Sequence, residues 1–277
     1  MTQRLVRVLV TGFGPFPLNP RHPSWIKNGV EPEKRITPPN PSEYVARNME
    51  LDAEAGGIDD VEIHRLFPLP VEYAAAGELV LRKINELNPD LFIGFGLGAK
   101  AREEGLDPVD AELELSAINL RHDDKGTPEQ GERIRRTFPS QWPPDGDPDT
   151  WSEQDRAWIE RFPDNADVSC TREQIVPGGE RILFTDIRIQ EIIDGMKDLE
   201  VNGKRVETLF DSDPEGSTGR FICNEVYYTA LSEQKKRKGA KALFVHLPPL
   251  HDDRKQRMLK AAEMILAGCL KQLGAQA

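Results

Sequence analysis

Cysteine is scarce: Cys170, Cys223 and Cys269 are the three in 277 residues, far apart and with no CxxC pair. An odd, scattered set supports neither a disulfide framework nor a structural zinc site, and it fits a reducing cytoplasm. Long apolar runs are missing too. No stretch approaches the roughly 18 apolar residues that a spanning helix needs. The opening MTQRLVRVLV is broken by Arg7 and lacks a small-residue cleavage site, so neither export nor membrane insertion is expected. Positive charge is in deficit, with 36 Lys and Arg against 47 Asp and Glu for a net charge of −11. Nucleic acid and anionic membranes are held by clustered Lys and Arg, so neither is an expected partner. The five histidines form no HxxxH or HxE cluster, so no metal is expected.

What is present suits a folded domain. Hydrophobic residues make up 38% and charged residues 30% of a chain at the upper edge of single-domain length, so one domain over 1–277 with insertions is expected. Periodicity predicts strands at Leu5 to Phe13, 61 to 67, Leu91 to Phe95, Glu112 to Asn119, Val206 to Phe210 and Ala242 to Leu247. Helices are predicted after Pro41 with Asn40 as cap, at 72 to 87, near 187 to 199, near 219 to 234 and from about 254 to 273. The alternation implies an α/β fold, a doubly wound and mainly parallel sheet flanked by helices on both faces. Two stretches break the rhythm and read as insertions: a Pro- and charge-rich loop at 17–39, and an acidic, Trp- and Pro-rich segment at 127–178. Trp142, Trp151 and Trp158 carry too much apolar surface to stay solvated. They are expected to pack on the body or on a second copy of the chain, which leaves a homo-oligomer open.

Open α/β sheets place ligands beyond the carboxyl ends of their strands. Four such segments stand out. VTGFGPF (10–16) can turn sharply and brings two Phe rings together. GFGLG (94–98) looks like a phosphate-binding turn, but its third glycine is misplaced for a dinucleotide fingerprint. On the strand at Glu112 to Asn119, Glu112 and Glu114 share a face, where most glutamates are merely solvated. Cys223, in STGRFICNEVYY (217–228), sits at or near the first turn of a helix, where the dipole favours a thiolate. A small core residue on the stripe of Val226, Tyr227 and Ala230 is the other reading of Cys223. His246 stands near the end of the apolar strand ALFVHL (242–247) and needs a partner for each ring nitrogen. A cysteine on one side and a carboxylate on the other would supply both, as in covalent acyl transfer. A satisfied core histidine explains it equally well.

Taken together, VTGFGPF (10–16), NPS (40–42), LPVEY (69–73), NPDLFIGFG (88–96), ELSAIN (114–119), GRFICNEVYY (219–228) and FVHLPP (244–249) resemble the pyroglutamyl peptidase I family. These are cytosolic cysteine peptidases that remove N-terminal pyroglutamate. The resemblance implies an α/β sheet core with Cys223 as nucleophile, His246 as general base and acid, and Glu114 orienting His246. It also implies a substrate-binding side formed by Phe13 and Phe16, with Asn40, Leu97, Phe221 and Arg121. No cofactor or metal would be needed, and the partner would be a peptide with a blocked N-terminus.

This chain departs from the family pattern in three ways: in residues 17–39, in Leu97-Gly98-Ala99-Lys100 where bacterial members carry a polar residue and a Gly-Gly-Arg run, and in extra residues before Glu114. The nucleophile set is intact. Two rivals follow: a related amide or lactam hydrolase of altered specificity, and a non-catalytic binding protein on the same fold.

Overall fold

The computed structural model describes residues 5–14, 40–51, 60–71, 73–100, 105–120, 174–212, 218 and 222–275. The 17–39 stretch, most of 127–178 with its three Trp and Cys170, and the site candidates Phe16, Arg121 and Phe221 lie outside these residues.

β1 (Val6–Phe13) is buried along almost its whole length because it is an interior strand, whereas β2 (Val61–Leu69) is half-buried at the sheet edge. Between them runs α1 (Pro41–Asn48). Asn40 caps it by accepting from Ser42 N, and Pro41 stands at its start, where no amide is missed. α2 (Ala75–Leu87) follows β2 and buries Ala76, Val80 and Ile84. Then come β3 (Leu91–Leu97), β4 (Ala111–Glu114), β5 (Ser116–Ile118), β6 (Ile182–Phe184), α3 (Ile189–Met196), the short hairpin β7 (Glu200–Val201) and β8 (Lys204–Arg205), and β9 (Thr208–Asp211). α4 (Ile222–Lys236), β10 (Lys241–Leu247) and α5 (Lys255–Gly274) complete the order.

The main sheet has the order β2-β1-β3-β10-β4-β9. The β1–β2, β1–β3, β3–β10 and β4–β9 ladders are parallel, and only β10–β4 is antiparallel. The sheet is therefore mainly parallel, with β4 and β9 running against the other four strands. The single strand expected over Glu112 to Asn119 is two strands. At Leu115 the pairing partner changes: Leu115 N donates to Asp211 O, and its carbonyl then accepts from Thr185 N. β5 leaves the main sheet there to pair with β6.

Helices cover both faces. α1, α3 and α5 pack with Val8, Val10, Ile93, Leu113, Leu243 and Val245 on one side. α2 and α4 pack with Leu9, Phe92 and Phe244 on the other. Each fully buried aliphatic or Phe side chain contributes about 1.5–3 kcal/mol, so these two clusters carry the fold. The start of the second interrupted stretch's return also belongs to the body. Asn119 Nδ2 donates to Val176 O, Val176 N donates back to Asn119 Oδ1, and Ile175 and Val176 pack on the second cluster. Among the described residues no helix is long and apolar enough to cross a membrane.

Candidate active site

β3 and β10 end side by side, with His246 paired to Gly96 and Leu247 to Leu97. β4, running the other way, brings its start to the same edge, and there Glu112 is the register partner of His246. Phe244, His246, Glu112 and Glu114 all point toward the α4 side by strand alternation, since Leu113, Val245 and Leu247 join the opposite cluster. Glu112 and Glu114 are both buried, so neither is the solvated strand glutamate that composition favours.

His246 Nδ1 donates to Glu114 Oε1 at 2.6 Å. A carboxylate at Nδ1 fixes the tautomer and leaves Nε2 for a second partner. That partner is Cys223, the second residue of α4, with which the imidazole is hydrogen-bonded. Burial pulls the imidazole pKa down. The charge of Glu114 and the hydrogen bonds to Cys223 and Glu114 outweigh it and hold His246 well above its ordinary value. The ring also meets Phe244 edge-on, with centroids 5.2 Å apart. Cys223, His246 and Glu114 thus stand in one line, an arrangement able to generate a thiolate beside an imidazolium.

The GFGLG run is the bed on which this line rests. A Cβ at Gly94 would lie 2.6 Å from the Phe244 ring, and a Cβ at Gly96 would lie 2.9 Å from Cys223 Sγ. Glycine is required here by close approach, not by phosphate binding.

Sequence reasoning assigned no role to several residues that seat the cysteine helix. Ile118 N donates to Asn224 Oδ1 at 2.8 Å, while Asn224 Nδ2 donates to Ile118 O and Leu120 O. Tyr227, one turn beyond Cys223, donates from its hydroxyl to Glu114 O at 3.0 Å, and burial raises its pKa well above the ordinary phenol value. Glu225 accepts from Ala74 N through both oxygens and so closes the start of α2, which has no side-chain cap of its own. Two polar residues directly after a cysteine at a helix start, Asn224 and Glu225, are the signal that was available.

The binding-side candidates divide. Phe13 is 3% exposed and packs in the second core cluster with Leu69, Val71 and Tyr73. Asn40 is buried with its amide occupied: Nδ2 donates to Gly14 O, and Oδ1 accepts from Ser42 N and Ser42 Oγ. It holds the Gly14 turn. Leu97 ends β3 with 36% of its surface exposed. Among the described residues no group of three or more His, Cys, Asp or Glu is arranged to hold a metal ion.

Residues 155–272 match the sequence profile of the pyroglutamyl peptidase family. A pyrrolidone-carboxylate peptidase of Pseudomonas fluorescens is 25% identical over 94% of this chain and 88% of its own. One of Chromobacterium violaceum is 27% identical over 87% and 77%. Among solved structures, the pyrrolidone carboxyl peptidase of Thermococcus litoralis aligns over 99% of this chain and 97% of its own, with a TM-score of 0.61 and 18% identity. That of Pyrococcus furiosus aligns over 97% and 100%, with a TM-score of 0.60 and 18% identity. The fold is shared with these structures, and the stretch that matches the pyroglutamyl peptidase profile runs through the cysteine helix and the histidine strand.

Proposed function

We propose that the protein is a cysteine peptidase that removes N-terminal pyroglutamate from peptides through a thioester. The observation that carries this reading is the Cys223–His246–Glu114 line, with Nδ1 committed to Glu114 and Nε2 left for the thiol. His246 takes the Cys223 proton, and the thiolate attacks the pyroglutamyl carbonyl carbon. His246 then returns the proton to the leaving amine as the C–N bond breaks. Water, deprotonated by the same imidazole, hydrolyses the thioester and frees the acid and the thiol. Glu114 stabilises the imidazolium formed at each stage.

Phe13 with Phe16 would line the lactam pocket, Phe221 and Leu97 would border it, and Arg121 and backbone N–H groups at the start of α4 would face the oxyanion. Asn40 would act through the Gly14 turn. A cytoplasmic location, a blocked peptide as partner and independence of cofactors are part of the proposal.

Purified protein is assayed on a panel of fluorogenic aminoacyl amides. Release from the pyroglutamyl amide, abolished in Cys223→Ala, is expected. Cleavage of other members alone would favour an amide hydrolase of different specificity. No cleavage, and no mass adduct on Cys223 from a pyroglutamyl chloromethyl ketone, would leave a binding protein.

A further inference from the structure

Glu112 is the carboxylate in register with His246, yet the imidazole bonds to Glu114, two residues along. Directly opposed residues in an antiparallel pair have Cβ atoms about 4.5–5.5 Å apart, so Glu112 is near enough to act on the ring electrostatically. Its own position is fixed from elsewhere. Lys100 N donates to Glu112 Oε2 at 2.8 Å, and the Lys100 ammonium stands 3.7 Å from Oε1 while also bonding Asp211. Lys100 lies in the loop after β3, whose Gly98 and Ala99 amides both donate to Leu247 O, one residue past the histidine. Glu112 is 1% exposed. Its Oε1 and Glu114 Oε2 are buried without a hydrogen-bond partner among the described residues. Two buried carboxylates therefore share one strand face with a single imidazole, and a lysine from outside secures the one that the imidazole does not use.

We propose that Glu112 is a second positioning carboxylate for His246, and that the Lys100–Glu112 pair sets the pH range over which the imidazole stays protonated. The proposal rests on reading Cys223 and His246 as the reacting pair. The groups that face Glu112 are Glu114 from β4, Lys100 from the loop after β3, Asp211 from β9, and His246 from β10, with Cys223 and Tyr227 of α4 on the far side of His246 and Glu114. Burial and the Glu114 charge push the Glu112 carboxyl pKa up, and Lys100 and His246 oppose them. An ionised Glu112 favours the imidazolium, and Lys100 tempers that effect. Removing Glu112 alone takes away a negative charge near the ring and leaves the ammonium paired with Asp211 only. Removing both restores the charge balance around the ring.

The test is an NMR titration of the His246 ring in histidine-labelled protein with Cys223 methylthiolated. It needs no substrate, so it fails or succeeds independently of the peptidase assay. Glu112→Gln is expected to lower the His246 midpoint by about one pH unit, the lower end of the effect of a nearby charge. Adding Lys100→Met to that variant is expected to recover at least half of the shift, which a packing role for Glu112 would not do. An unmoved midpoint in Glu112→Gln, or a shift that the double variant does not recover, overturns the proposal. If Glu112→Gln does not fold, Lys100→Met alone carries the test, because its side chain is 61% exposed. The midpoint must then rise, and a fall or no change overturns the proposal.

Discussion

Gly96 and Cys223 are in such close approach that a methyl group on the glycine would sit 2.9 Å from the sulfur, and as close to the Phe244 ring. β3 thus supplies the floor under the thiol by having no side chain there. Gly96→Ala is expected to displace Sγ from His246. A misplacement of about 1 Å can cost on the order of 100-fold in rate, and overpacking adds about 1–3 kcal/mol of destabilisation. Measured kcat and urea unfolding should both fall. Wild-type kcat in a folded Gly96→Ala protein would show that the sulfur has room to spare.

The two described thiols should separate cleanly by reactivity. Cys269 is buried in α5, and burial pushes its pKa up to about 12, so little thiolate forms there near neutral pH. Cys223 is half-buried and hydrogen-bonded to an imidazole. Iodoacetamide at pH 7 followed by peptide mass mapping is expected to label Cys223 and leave Cys269 unmodified in the native protein. Labelling of Cys269 at a comparable rate would mean that α5 opens far more readily than its packing implies.

Asn224 joins the cysteine helix to β5 by pairing with both the N–H and the carbonyl of Ile118 and by donating to Leu120 O. Asn224→Ala leaves buried backbone groups unpaired and is expected to cost about 2–4 kcal/mol. Asn224→Asp is expected to be at least as damaging, because it places a carboxylate oxygen against two carbonyls where an amide donated. Urea midpoints of the two variants give the order. A milder effect for Asp than for Ala would contradict the orientation of this amide.

Periodicity reports which face a residue occupies, and that was enough to locate every helix among the described residues and to place Glu112 and Glu114 together. It does not report direction: the alternation of Glu112 to Glu114 reads the same in a parallel or an antiparallel strand, so the reversal of β4 against β10 was hidden. That reversal sets Glu112 opposite His246 and Glu114 two pairs away, opposite Phe244. The switch of partner at Leu115 was hidden for the same reason, since it depends on where β6 and β9 lie. GFGLG was read for what glycine permits in the backbone. Its role is set by Phe244 and Cys223, which approach from two other elements.

The pairing of His246 with Glu114 also has a pH signature. The imidazole pKa in the folded protein is held well above its ordinary value, near 6.5 when unfolded, by Glu114 and Cys223 against the opposing effect of burial. Below about pH 6.5 the ring is charged in both states, and folding gains the full attraction to Glu114. As pH rises through the folded pKa the ring loses its proton, and that gain disappears. A buried Glu114 is then left without a cationic partner. Glu114→Gln keeps an acceptor for Nδ1 but has no charge to attract the imidazolium. The stability advantage of wild type over Glu114→Gln is therefore expected to be largest at and below pH 6.5 and to shrink toward alkaline pH, as read from the difference in Tm across pH 5 to 9. The variant should also retain more kcat than His246→Ala, which removes the base itself. A Tm difference that is flat or grows with pH would mean that Glu114 does not support a charged imidazole in the folded state.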